Sequence, residues 1–165
     1  MKAEKSKAGD LNVEASGDRE IVITRSFNAP RELVFRAHTE PELVRRWMLG
    51  PDGWTMPVCE IDLRVGGNYR YVWHKEKTGE NMGMGGEYKE IERPEKIACT
   101  EKFDDPWYPG EGFSTITFDE DDGKTKFRLV VSYESKDARD TVLASPMESG
   151  MAAGYNRLDE VLETL

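Results

Sequence analysis

Residues 66–75, GGNYRYVWHK, place two glycines ahead of an aromatic at every second position. Successive side chains of a strand point to opposite faces, so Tyr69, Tyr71 and Trp73 share one side. The glycines read as a tight turn feeding that strand, with at least one of Gly66 and Gly67 at positive φ. Three large aromatics on one face need something to pack against, either a filled core or a cavity that holds a ligand.

Strand signals continue on both sides of this stretch. WTMPVCEIDL precedes it, and MGMGGEYKEI, IACTEKF, FSTITF and KFRLVVSY follow, separated by short turns. Asp122-Gly123 is a strong two-residue hairpin signal. Upstream, REIVITRSF adds a β-branched run, which brings the expected total to seven strands. Between them lie two short helices, NAPRELVFRAH and TEPELVRRW, with Asn28 and Thr39 as expected caps and Glu42 completing a capping box. After the last strand, SKDARDTVLA predicts a brief helix ended by Pro146. Ser145, Pro146 and Glu148 then predict a second capping box opening a helix of about 20 residues. Along it Met147, Met151, Tyr155, Leu158, Leu162 and Leu165 recur at three- and four-residue steps, one apolar face.

A strongly twisted sheet of that size curls, and the terminal helix is the only element long enough to cover its hollow side. The expected fold is α+β: a helix grip, with a seven-stranded curved antiparallel sheet, two short helices and a long C-terminal helix enclosing a cavity. Tyr69, Tyr71 and Trp73 line the hollow face and meet Met147, Met151 and Tyr155, with Trp47 and Trp107 closing the ends. Met84 and Phe113 complete the expected ligand-binding set. Tyrosines put a polar tip on an apolar body, and methionines adapt to irregular shapes, so this lining suits flat apolar ligands.

The bulk numbers agree with one domain. The chain has 165 residues, 38% hydrophobic and 33% charged, and residues 19–165 read as a single domain behind a polar, flexible tail at 1–18. Leu11 and Val13 are isolated apolar positions in that tail. The net charge of −9 argues against nucleic acid or an anionic membrane surface as partner. No apolar run reaches the roughly 20 residues that span a bilayer. No apolar signal-peptide core opens the chain, so the expected location is cytoplasmic. Cys59 and Cys99 read as buried free thiols.

Catalytic signals are sparse. His38 falls at a helix end, where a cationic ring is favoured by the dipole, and His74 alternates opposite the aromatic face. No metal-ligand spacing or nucleophile elbow occurs, and no cofactor is expected. Gly85 and Gly86 read as a kink that lets the sheet curl. Glu60 and Asp62 share a strand face, as do Cys99 and Glu101. An acid facing inward would have a raised pKa and orient a ligand or act as a general acid. The more apolar set Cys59, Ile61 and Leu63 implies that Glu60 and Asp62 face outward.

The runs FNAPRELVFRAHTEPELVRRWMLGP, CEIDLRVGGNYRY, GGEYKEI with RPEKI, and MESGMAAGYNRLDEVLETL together resemble the SRPBCC (START-like, birch-pollen-allergen-like) superfamily over residues 19–165. The likeness is greatest to its branch of activators of heat-shock-protein-ninety ATPase homologues. This resemblance implies a helix-grip fold around an apolar cavity. In that branch the position of Met151 is usually tryptophan, which implies a differently shaped cavity here. The leading expectation is binding of a small apolar or aromatic molecule of lipid, polyketide or flavonoid class. The alternatives are a cyclase- or hydrolase-type enzyme using the same cavity, and a co-chaperone acting on a chaperone ATPase. The chain is expected to act as a monomer or homodimer.

Overall fold

The computed structural model describes residues 11–165. Eight strands form one antiparallel sheet, in the order β1-β2-β8-β7-β6-β5-β4-β3. They are β1 (Asn12–Ser16), β2 (Glu20–Phe27), β3 (Trp54–Ile61), β4 (Asn68–Lys75), β5 (Asn81–Glu92), β6 (Lys96–Phe103), β7 (Gly112–Asp121) and β8 (Lys124–Ser132). Helices α1 (Arg31–Thr39) and α2 (Pro41–Trp47) follow β2, and α3 (Lys136–Leu143) and α4 (Met147–Leu162) end the chain.

The eighth strand corrects the sequence reading, which took residues 11–18 into the tail; residues 1–10 of that tail lie outside the described residues. Asn12–Ser16 pairs antiparallel with β2, Val13 opposite Ile23. Leu11 and Val13 pack on a cluster built around Ile21, Ile23 and Val131. Two apolar side chains two residues apart were enough to hold an edge strand, because β2 already offered a buried face.

Three expected caps are absent. Thr39 stays inside α1, its hydroxyl donating to Phe35 O at 2.9 Å. Asn28 gives way to Pro30 at the cap position of α1, and Glu120, from the β7 end, accepts from Arg31 N at 3.0 Å. Ser145 Oγ turns back to donate to Val142 O at 2.6 Å, so the box with Glu148 does not form. Helix α4 therefore starts at Met147 and has 16 residues, about 24 Å at the standard rise. By contrast Ser135 does cap α3, accepting from Ala138 N at 3.0 Å.

The meander from β3 to β8 is as the turn signals predict. Asp122 (φ 55°) and Gly123 (φ 75°) make the two-residue β7–β8 turn, both left-handed as a type I′ hairpin requires. Gly66 takes φ 88° at the entry to β4. The pairing register shifts between Thr55 and Val58 in β3 and between Tyr88 and Glu90 in β5. Gly86 makes room for a side chain of the neighbouring strand. It lies opposite Tyr69, and with no side chain there Tyr69 reaches across β5 to donate to Thr100 O of β6 at 2.6 Å. A Cβ on Gly86 would overlap that same carbonyl.

Helix α4 lies across the hollow face. Arg25 of β2 points inward and is 4% exposed. It grips α4 by donating from Nη1 and Nη2 to the Asp159 carboxylate (3.0 and 2.8 Å) and from Nη2 to Asn156 Oδ1 (3.0 Å). Below, Phe27, Phe127, Tyr155 and Leu158 form part of one buried cluster with α1 and α2. A second cluster, with Tyr108, Tyr133 and Val142, lies under α3.

Candidate ligand-binding cavity

Between the two clusters the grip is hollow. A cavity of about 790 Å³ separates the sheet from α4 and from the loop joining α2 to β3, a volume within the range of small-molecule sites. Of the expected set, Trp47, Tyr69, Tyr71, Trp73, Met84, Trp107, Met147, Met151 and Tyr155 line it. Strand β4 supplies the central row, since Tyr69 and Tyr71 are buried and Trp73 half-buried on one face. Trp73 is fixed by its indole N–H donating to Met48 O at 2.7 Å. Trp47 donates to Ala37 O at 2.9 Å and stacks on Tyr155 with ring centres 5.4 Å apart. Trp107, 44% exposed, stands at the rim and leans on Phe103.

Phe113 is the exception and a correction. In β7 the inward positions are Gly112, Ser114, Ile116 and Phe118, and Phe113 falls on the other phase of the alternation. It is 39% exposed on the outer face, opposite Thr100 and Ser132.

The aromatics divide unevenly by type. The chain has four Trp and six Tyr, and all of them (Trp54, Tyr88, Tyr108 and Tyr133 besides those named) line the cavity. Of the six Phe, only Phe103 and Phe127 do; Phe27, Phe35 and Phe118 are fully buried in solid packing. Indole N–H and phenol O–H groups ask for polar partners or space, and phenylalanine asks for neither.

Polar chemistry inside is confined. Ile97, Cys99, Glu101 and Phe103 of β6 all line the cavity, so Glu101 does face inward while Glu60 and Asp62 are exposed. Ser114 Oγ donates to Glu101 Oε1 at 2.9 Å. Burial raises the Glu101 pKa above the usual carboxylate value, and the Ser114 bond opposes this. The same burial pushes the Cys99 thiol up to about 12, so it is an inert thiol; its Sγ lies 3.9 Å from Tyr69 Oη. Both cysteines are free and buried.

His38 departs from the expected cation. It is 7% exposed, and Nδ1–H donates to Val34 O at 2.8 Å. Its ring packs among Trp47, Phe118 and Phe127. Desolvation lowers its pKa to about 4, which makes it a neutral wall residue. His74 lies outside the cavity, against Asn81 Oδ1 at 2.8 Å.

Sequence reasoning missed Trp54, Tyr88, Tyr108, Tyr133 and Ser114, and it noted Glu101 without deciding its direction. For Glu101 the signal was present: Ile97, Cys99 and Phe103 alternate with it and fix its face. Tyr108 and Tyr133 lie in or next to loops, where no periodicity speaks.

No helix among the described residues is long and apolar enough to cross a membrane. A family model described as Activator of Hsp90 ATPase homolog 1-like protein matches residues 28–163. Among solved structures, a Rhodobacter sphaeroides protein is 29% identical, with 94% of this chain and 99% of that one covered and a TM-score of 0.88. A Mycobacterium smegmatis protein, 24% identical over 92% and 96% of the two chains, has a TM-score of 0.81. The AHSA1-like protein from Aeromonas hydrophila shares the fold at 16% identity, covering 87% and 92% with a TM-score of 0.66. No curated protein matches the sequence. With most of its length matched by that family model, and with the helix-grip fold in place, this chain belongs to the Activator of Hsp90 ATPase homolog 1-like family.

Proposed function

We propose that this protein binds a small apolar or aromatic molecule, of lipid, polyketide or flavonoid class, between the sheet and α4. The observation that carries the reading is the placement of every Trp and Tyr of the chain around one cavity, while three of the six Phe are fully buried away from it. A core under selection for packing alone has no reason to sort phenols and indoles from phenyl rings. Tyr71 and Tyr155 bring hydroxyls into the interior, where a bound molecule with matching polar groups is a natural partner.

A cyclase- or hydrolase-type activity asks for an acid and a base within hydrogen-bond reach. Glu101 has the Ser114 hydroxyl at that distance, and His38 has turned its Nδ1–H onto Val34 O. This pairing suits holding a ligand better than moving protons.

The four tryptophans make the test direct. Titration with long-chain alcohols, flavonoids and aromatic polyketides should quench tryptophan emission saturably and raise the melting temperature for at least one class. At a hundredfold excess over Kd the stabilisation is about 2.7 kcal/mol. Failure of every class to change either signal would overturn the reading.

A further inference from the structure

The cavity wall carries one carboxylate, Glu101, and among the described residues no lysine or arginine. Its Oε1 is taken by Ser114, and Oε2 has no hydrogen-bond partner among the described residues. Opposite Glu101 on β7 stands Gly112, and the Tyr133 ring covers the place of its missing side chain, at ordinary van der Waals distance. Tyr108 packs edge-on to Tyr133 with centres 5.3 Å apart. Its hydroxyl is buried without a partner. On the other side Glu101 is followed inward by Cys99 and by Tyr69, whose ring lies 5.1 Å from that of Tyr71. A single acid thus shares one cavity wall with Tyr69, Tyr71, Tyr108 and Tyr133.

We propose that the cavity selects an apolar or aromatic molecule carrying one ammonium group, which donates to Glu101 Oε2 while the tyrosine faces surround the cation. The proposal rests on the ligand-binding reading above and narrows it. A half-buried carboxylate on a cavity wall that offers it no counter-charge is costly, and an ammonium is the ligand group that removes the cost. Aromatic faces add attraction for the same charge. A fatty acid or any other carboxylate would instead meet Glu101 with like charge and find no cation on the wall, so anionic lipids are disfavoured.

The test is a matched series of 1-pyrenemethylamine, 1-pyrenemethanol and 1-pyrenecarboxylate, titrated at pH 7 by probe and tryptophan fluorescence. The amine should bind about tenfold or more tighter than the alcohol, the scale of one hydrogen bond to a charged group, and the carboxylate weakest. In Glu101→Gln, which keeps the shape, the amine-to-alcohol affinity ratio should fall to near one. Using the ratio within each protein cancels any general loss of affinity, and circular dichroism verifies that the variant is folded. Equal binding of amine and alcohol to the unmodified protein, or a ratio unchanged in the variant, overturns the ammonium proposal and leaves ligand binding standing. Tightest binding by the carboxylate overturns it too. Should none of the three bind, the narrower proposal falls, and the wider ligand panel then decides whether the binding reading falls with it.

Discussion

The roof of the cavity is held by one buried guanidinium, and that makes an asymmetric prediction. The Arg25 side chain is 1% exposed and that of Asp159 is 41% exposed. Asp159→Ala leaves the charge of Arg25 inside the protein with only Asn156 Oδ1 and the Ser26 carbonyl as acceptors. Stranding a buried charge costs about 3–5 kcal/mol. At 2–4 °C per kcal/mol for a domain of this size, the melting temperature should drop by roughly 6–20 °C. Arg25→Met removes the same ion pair but strands the opposite partner, a carboxylate that water already reaches, and it fills the space with an apolar chain. Its cost should be smaller, about 1–2 kcal/mol. The double variant Arg25→Met/Asp159→Ala should be more stable than Asp159→Ala alone, because the stranded charge is gone. Urea unfolding of all four proteins measures these differences directly, and unchanged m-values would confirm that stability alone has moved. If Arg25→Met is the more damaging single change, or if the double variant is worse than Asp159→Ala, the reasoning from unequal burial is wrong.

Stability should also depend on pH through His38. Its folded pKa of about 4 lies below the usual 6.5, so between these values the unfolded chain binds more protons. Stability is then complete above about 6.5 and falls, by about 3 kcal/mol in all, as pH drops toward 4. His38→Phe should flatten that part of the profile; Glu101 acts in the opposite sense but is common to both proteins. Trp47→Ala should cost about 3–5 kcal/mol, since Trp47 is 3% exposed and stacked on Tyr155. Trp73→Ala should cost less stability but weaken ligand binding more, and the opposite ordering in thermal unfolding and titration would argue for a filled core. Gly86→Ala should destabilise by about 1–3 kcal/mol because its Cβ and the Tyr69 hydroxyl compete for Thr100 O; a neutral effect would show that the two strands yield there.

How much was legible can be judged from particular residues. Alternation in β4 placed Tyr69, Tyr71 and Trp73 on one face, and the helical stripe placed Met151 and Tyr155 opposite them, because both periods are properties of the backbone alone. The Asp122-Gly123 turn was equally local. Caps were less legible. Thr39 and Ser145 each had a neighbouring carbonyl to bond, and the competition between that bond and a cap depends on where the previous helix ends. Phe113 was misplaced by taking aromatic character as evidence of face, when only its phase relative to Ile116 and Phe118 carries that information.

By itself, the sequence determined the kinds of element, their order and the apolar face of each, since these follow from spacing and turn chemistry within a few residues. Only the tertiary structure decided that Asn12–Ser16 joins the sheet, that Glu101 is the lone acid inside, and that every tyrosine and tryptophan meets around one hollow. Those outcomes depend on which distant segments come to lie side by side. A hydrogen bond such as Arg25 to Asp159, 134 residues apart, leaves no periodic trace in the chain that makes it.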